Sequence, residues 1–188
     1  FSMAATRYDQ RKHLEAEEAN AIGTEYVRAD TLSAPEAAKA RALLKDYVSE
    51  RIVYYTNYDA DLLSQAAAKT RQLQSNLWST VMSATSGQRD AISALAVSGA
   101  NDVLNAEGYT AAAWRNRIPQ TAWLLMFSIA IVCNLLLGFR ARSGGSVQLV
   151  LPVAVAISFF LIADIDSPRS GIIRVRSQNL ESLLESFH

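Results

Sequence analysis

The chain has 188 residues, half of them apolar, and its 18 lysines and arginines are balanced by 18 aspartates and glutamates. That length fits one compact domain. A net charge of zero argues against a nucleic-acid-binding protein, which needs a basic face to replace phosphate counterions. The single cysteine, Cys133, cannot form an intrachain disulfide, so the sequence excludes a disulfide framework.

The first 117 residues hold most of the charged side chains and show helical patterning, which predicts a helical domain that faces water. The first predicted helix runs from Phe1 to Ala29 and is rich in helix formers. Its clustered Glu15, Glu17 and Glu18 are interpreted as a solvated face. In the segment from residue 18 to residue 30, four polar residues are assigned to helix packing, and the last two are spaced to pair along the helix. These four are Glu18, Asn20, Glu25 and Arg28.

A second helix is predicted to begin after Ser33, because Ser33 can cap it and Pro35 fits its first turn. Apolar residues at helical spacing continue it to about Ser83, with the polar stretch 64–75 either exposed or a break. Four tyrosines on this helix are interpreted as packing residues whose hydroxyls reach water or a partner. They are Tyr47, Tyr54, Tyr55 and Tyr58.

The third predicted helix, from about Arg89 to Asn116, follows a turn at residues 85–88 and leads toward an apolar segment. Trp114 and Trp123 bracket the start of that segment. Amphipathic aromatic residues are enriched at membrane–water interfaces, so both tryptophans are predicted to lie at one.

Two long uncharged runs follow in the second half of the chain. Residues 118–139 lie between Arg117 and Arg140, and a helix needs about 20 such residues to cross roughly 30 Å of hydrocarbon. A second run predicts another crossing over residues 146–164. Buried helices of a soluble protein are the alternative, but such helices usually keep a polar stripe. Asn134 is the only strongly polar side chain near the middle of either run.

The connection from Arg140 to Ser146 is short and rich in turn formers, so residues 118–166 are predicted to form an antiparallel transmembrane hairpin. The domain 1–117 and the C-terminal tail 167–188 then lie on one side of the bilayer. Five arginines flank that side against two in the loop, Arg140 and Arg142. The positive-inside tendency therefore predicts a multi-pass protein of the plasma (inner) membrane with the domain and the tail in the cytoplasm. No segment shows a strand pattern, and the predicted fold class is all-α.

An acidic turn, Asp164 to Gly171, follows the second crossing. A carboxylate is unfavourable at the partly negative C-terminal end of a helix, so Asp164 and Asp166 need compensation. An ion pair with Arg115 or Arg117, at the same membrane face, is the simpler prediction, and Arg169 lies in the turn itself. A bound cation such as Ca²⁺ is the alternative, because hard cations prefer carboxylate and carbonyl oxygens. No other cofactor and no catalytic constellation is predicted, so the chain is not expected to be an enzyme.

Four segments together resemble the bestrophin-like family of membrane proteins of unknown function, in the right order and over nearly the whole chain. They are Glu18–Asp30, Leu43–Val48, Arg115–Pro119 and Asp164–Gly171, and the last is the most specific. Members typically carry a further hydrophobic hairpin upstream. Since the chain starts on Phe1 without a basic-then-apolar signal segment, upstream sequence is expected.

The family is distantly similar to true bestrophins, which are pentameric anion channels with an acidic, calcium-binding turn after the final crossing. The resemblance implies a homo-oligomer that conducts small ions, with Asn134 either on the pathway or in a hydrogen bond between helices. This chain lacks the aromatic neck helix and the acidic run of true bestrophins. The alternative is therefore a non-conducting scaffold or accessory subunit that binds a membrane-protein partner through the helical domain.

Overall fold

A computed structural model describes residues 2–87, 90–140, 149–169 and 171–187. All regular structure in these ranges is helical, which confirms the all-α prediction. A short 3-10 turn, Ala29–Thr31, follows the first helix. The α-helices in chain order are α1 Ser2–Arg28, α2 Ala34–Thr56, α3 Ala60–Ala84, α4 Ala91–Arg115, α5 Gln120–Arg140, α6 Val150–Asp166 and α7 Gln178–Ser186.

The chain divides into two compact units. We call residues 1–8 and 115–174 the apolar unit, because it contains α5 and α6, and residues 9–114 and 175–188 the charged-core unit. The tail that the sequence treats as one segment, 167–188, is shared between the two units. Its part from Val175 onward, which includes α7, belongs to the charged-core unit.

The first and third predicted helices are confirmed as α1 and α4, but the single long helix predicted up to Ser83 is wrong. The helix is interrupted at residues 57–59, and α3 then runs without a break through the polar stretch 64–75. Asp59 causes the break, since its carboxylate accepts hydrogen bonds from the backbone N–H groups of Asp61 (2.8 Å) and Leu62 (3.2 Å) and so caps α3.

Within the charged-core unit, α1 packs against α4, and their contacts show that the two helices are antiparallel. Arg11, early in α1, donates to the carbonyl oxygen of Ala113, late in α4, over 3.1 Å. Arg28, the last residue of α1, donates to the carbonyl oxygen of Leu95 over 3.4 Å. The small residues Ala96 and Ala100 of α4 are fully buried.

In the apolar unit, α5 lies beside α6. The ring of Phe159 on α6 contacts the rings of Trp123 and Phe127 on α5, with centroids 6.5 and 5.0 Å apart. By length and composition, one helical stretch of the described ranges can cross a membrane: the one that contains α5, whose most apolar window is not buried at all. Helix α6 has 17 residues. Residues 141–148, which include most of the predicted Arg140–Ser146 loop, lie outside the described residues, as does the side chain of Arg140.

Candidate functional site

Asp166, the last residue of α6, joins three parts of the apolar unit. Both of its carboxylate oxygens accept the backbone N–H of Ile118, over 3.1 and 3.0 Å. One of them also accepts a hydrogen bond from the Arg7 guanidinium, near the start of α1, over 3.3 Å. Both side chains of the ion pair are largely buried, so Asp166 ties the first turns of α1 and the residues before α5 to the end of α6.

Asp164, two residues earlier, binds the chain that follows α6. Its two carboxylate oxygens accept the backbone N–H groups of Ile172 (2.6 Å) and Ile173 (2.9 Å). Gly171 makes this possible, because a Cβ at that position would collide with the carbonyl oxygen of Asp164. The turn thus folds back onto the helix end, and Asp164 supplies acceptors for two N–H groups that lie outside any helix.

Compensation for the two aspartates therefore comes from sources that the sequence did not indicate. Backbone N–H groups hold both carboxylates, and the arginine that pairs with Asp166 is Arg7 rather than the predicted Arg115 or Arg117, which are exposed. Arg169 is half-buried in the turn. Arg7 escaped prediction because it lies 159 residues from Asp166 in the chain.

The hydrogen bonds already made by the Asp164 and Asp166 carboxylates do not fit a calcium-binding site. A hard cation needs several free oxygen ligands, whereas these four carboxylate oxygens already accept N–H groups and one of them faces a guanidinium. No group of three or more potential metal-binding side chains occurs in the part of the chain that the structure describes.

Asn134, the predicted pathway residue, is half-buried on α5 and lines the grooves on both sides of the α5–α6 contact. Its amide nitrogen donates to the carbonyl oxygen of Ala130, one turn earlier in the same helix, over 2.7 Å. Its side-chain oxygen is buried and has no hydrogen-bond partner among the described residues. Asn134 therefore keeps one unused acceptor in an apolar setting.

The second group of functional candidates is a buried charged face on α1, which we call the charged stripe. It consists of Arg11, Glu15, Glu18 and Glu25, all at most 1% exposed. With Ile22 and Ala29 these residues recur every three or four positions, as one face of a helix does. The interpretation of the glutamates as a solvated face is thus wrong for Glu15 and Glu18, and only Glu17 is exposed.

At the centre of the stripe, Glu18 forms a bidentate ion pair with Arg51 of α2. Tyr55 donates to the same carboxylate over 3.1 Å, and Glu107 of α4 approaches the guanidinium at 3.7 Å. The ring of Tyr54 lies 4.5 Å from the guanidinium carbon. Burial alone would lower the pKa of Arg51, but the Glu18 carboxylate outweighs it and raises that pKa above the ordinary value. Arg51 thus stays charged.

The aromatic residues around this pair confirm the packing interpretation of the tyrosines for Tyr54 and Tyr55, whose rings contact each other. Both rings also contact Trp114, at 5.7 and 5.3 Å between centroids. Trp114 is 5% exposed, so its predicted interfacial position is wrong: it is a core residue of the charged-core unit. Burial, followed by the nearby Glu18 carboxylate, raises the pKa of Tyr55.

Glu15 binds the N-terminal end of α7. Its carboxylate accepts the backbone N–H groups of Asn179 (3.0 Å) and Leu180 (3.1 Å) and the Asn179 side-chain amide (2.5 Å). These are N–H groups that the first turn of a helix cannot pair internally. Burial raises the pKa of Glu15, and the three hydrogen bonds partly offset that rise.

The remaining residues assigned to packing have different environments. Glu25 is fully buried, and neither of its carboxylate oxygens has a hydrogen-bond partner among the described residues. Arg28, expected to pair with it, lies 3.8 Å from Asp102 of α4 instead. Asn20 is exposed.

A comparison with protein families assigns the chain to one of them. The family model of a Bestrophin-like domain matches residues 2–180, which includes the charged stripe, α5, α6 and the Asp164–Asp166 turn. The chain belongs to the bestrophin-like family. Comparisons with curated proteins and with solved structures give no match.

Proposed function

We propose that this bestrophin-like chain is an integral membrane protein of the plasma (inner) membrane that assembles into a homo-oligomeric channel for small anions. Membership of the family over residues 2–180 is the observation that carries the proposal. The exposure of α5 supports it, since an uncovered apolar helix of 21 residues fits a lipid environment far better than water. We propose no catalytic activity.

In this proposal α5 and α6 form a transmembrane hairpin. The contacts of Phe159 with Phe127, and of Asp166 with Ile118, join the start of α5 to the end of α6 and so support an antiparallel pair. Such a hairpin returns the chain to the side where it began. The arginine distribution then favours a cytoplasmic location for the N-terminal domain and the C-terminus.

The Asp166 contacts have a mechanical role in this proposal. The two ends of the hairpin and the first residues of α1 meet at one buried carboxylate, so a change there alters how both apolar helices are held. Its loss leaves the Ile118 N–H and the Arg7 guanidinium without their acceptor, which costs about 1–3 kcal/mol for each buried group left unpaired.

A non-conducting scaffold is the second candidate, because the polar groups of α5 and α6 bind their own helices. Ser128 donates to the carbonyl oxygen of Leu124 and Ser158 to that of Ala154, over 2.8 and 2.9 Å, as Asn134 does to Ala130. These donors are thus used within their own helices. A scaffold would bind a membrane-protein partner through its helical domain.

Chloride efflux from vesicles that contain the purified full-length protein tests the proposal. We expect efflux from the wild type, a marked loss with Asp166→Ala, and no loss with Asp46→Ala, a matched change at an exposed aspartate of α2. Chemical cross-linking in the same vesicles should show a closed homo-oligomer. Wild-type protein that is inserted and oligomeric, yet passes no anion, would rule out the channel and leave the scaffold.

A further inference from the structure

Among the described residues of the charged-core unit, Glu25 is the charge-bearing side chain that is buried without a hydrogen-bond partner. It lies on the charged stripe one turn from the end of α1, where α1 crosses α4. Its carboxylate occupies the space above Gly99, so closely that a Cβ on Gly99 would overlap a carboxylate oxygen. The absence of a side chain at Gly99 thus creates the space that the Glu25 carboxyl fills.

The partners that hold the other stripe residues are missing at this position. Glu18 has Arg51, and Glu15 has three N–H donors, whereas the oxygens of Glu25 are buried without any hydrogen-bond partner in the described ranges. Arg28, on the next turn, donates to the Leu95 carbonyl oxygen and faces Asp102. Its charge is thereby shared with another carboxylate.

The remaining charged groups near this crossing are already paired. From α2, Arg41 binds Asp30 and also donates to the carbonyl oxygen of Tyr26. Asp102 of α4 is of like charge and opposes ionisation of Glu25. Among the described residues, Arg28 attracts an ionised Glu25 but makes no hydrogen bond to it, whereas Arg51 pairs directly with Glu18.

We propose that the Glu25 carboxyl is a proton-binding site that makes the packing of α1 against α4 depend on pH. The protonated form is neutral and fits the space over Gly99. The ionised form is costly to bury without a partner, so it must draw in water or leave the crossing. Proton loss from Glu25 therefore loosens the contact at Gly99.

The pH range follows from the burial of the group. Burial raises the pKa of Glu25 to about 8, with the attraction of Arg28 offsetting part of the rise. An exposed glutamate in the unfolded chain titrates near 4.5. Between these values the folded protein binds one more proton than the unfolded chain. The stabilising effect of that proton is greatest below pH 4.5, declines as pH rises, and is gone above about pH 8.

Unfolding of the full chain in detergent at a series of pH values tests the proposal. One bound proton makes the folding equilibrium constant fall about tenfold per pH unit between pH 5 and 8. We expect the wild type to show this slope and Glu25→Gln to lack it. The difference in stability between the two proteins should therefore change with pH between pH 5 and 8. The change Asp9→Asn, at an exposed acidic residue of α1, should leave the slope unchanged.

A measurement on the wild-type protein remains decisive even if Glu25→Gln fails to fold. With glutamate side chains labelled with ¹³C at the carboxyl carbon, nuclear magnetic resonance should show one resonance that titrates near pH 8. The proposal is overturned if every glutamate resonance of the folded protein titrates below pH 6. It is equally overturned if the unfolding slopes of Glu25→Gln and wild type coincide.

Discussion

The two units of this protein distribute polarity in opposite ways. In the charged-core unit, the charged stripe on α1 is buried, with Arg11 and Glu18 at most 1% exposed. In the apolar unit, side chains such as Leu124 and Ile131 are at least 60% exposed. The hydropathy of a side chain therefore predicts whether it is buried or exposed only when the surrounding solvent, water or lipid, is known. Charged side chains are buried where we expect the helices to pack in water, and apolar side chains are exposed where we propose that lipid covers them.

Different physical conditions permit each arrangement. A buried charge is tolerated when it is paired and its hydrogen-bonding groups are satisfied, as the Glu18 carboxylate is by Arg51 and Tyr55. An exposed apolar helix is tolerated when its backbone groups bond within the helix and hydrocarbon surrounds it. Four substitutions, in descending order of expected effect, test this contrast.

Glu18→Ala should have the largest effect. It leaves the buried Arg51 guanidinium with Glu107, at 3.7 Å, as its nearest carboxylate among the described residues. Removing one partner of a buried ion pair costs about 3–5 kcal/mol of unfolding free energy. Urea unfolding in detergent measures the change. Replacing both Glu18 and Arg51 with methionine should restore most of the stability, because no unpaired charge then remains.

The control for this experiment is an ion pair at the surface. Lys69 binds Glu50 over 2.7 Å, but its side chain is 58% exposed, and such pairs contribute little. Lys69→Ala should leave the urea midpoint unchanged. If Glu18→Ala behaved like Lys69→Ala, the charged stripe would not hold the unit together.

The second substitution, Ile131→Arg, tests the opposite unit. Ile131 lies at the middle of α5 and is 60% exposed, and an arginine at the centre of a membrane-spanning helix costs about 2.5–3.5 kcal/mol of insertion free energy. We expect less protein in the membrane fraction. Val27→Arg is the matched control, since Val27 is 67% exposed on α1 and we expect it to face water. Equal membrane fractions for the two variants would mean that lipid does not surround α5.

The same contrast explains which features could be predicted from the sequence and which could not. The uncharged run from residue 118 to residue 139 predicted α5 because a hydropathy average responds to every residue of a helix that is apolar all round. A hydropathy average gives no comparable signal for the charged stripe. Its only signal is the three- and four-residue spacing of Arg11, Glu15, Glu18 and Glu25, and spacing does not say that a charged face is buried.

Partners that lie far apart in the chain could not be predicted, for a further reason. The pairing of Asp166 with Arg7 and that of Glu15 with Asn179 join residues more than 150 positions apart, and nothing local to either residue specifies the other. The break between α2 and α3 did have a local signal. Asp59 precedes Asp61 and Leu62 as a helix cap does, although the apolar spacing on both sides masked it.

Gly99→Ala should have the third largest effect and bears on the Glu25 crossing directly. The added methyl group meets the Glu25 carboxylate and Arg28 Nη1, so we expect a loss of about 1–3 kcal/mol in unfolding free energy from overpacking. Gly108→Ala, on the same helix, meets nothing within 4 Å and should gain roughly 0.5–1 kcal/mol from helix propensity. Opposite signs from two identical changes on α4 would locate the close contact at Gly99, whereas equal signs would contradict it.

Glu15→Ala should have the smallest and most local effect, because it removes a helix cap rather than a central ion pair. The N–H groups of Asn179 and Leu180 lose their acceptor, and loss of a cap costs about 0.5–2 kcal/mol. The other contacts of α7 remain: Lys45 donates to the Phe187 carbonyl oxygen over 3.1 Å, and Leu180 is fully buried. Backbone amide hydrogen exchange in residues 178–186 should therefore become faster, through a local opening that does not require the rest of the unit to unfold. Glu17→Ala, at the exposed glutamate two positions away, should leave that exchange unchanged. If both changes act alike, the hydrogen bonds from Asn179 and Leu180 do not hold α7, and its attachment rests on its other contacts, such as those of Leu180 and Lys45.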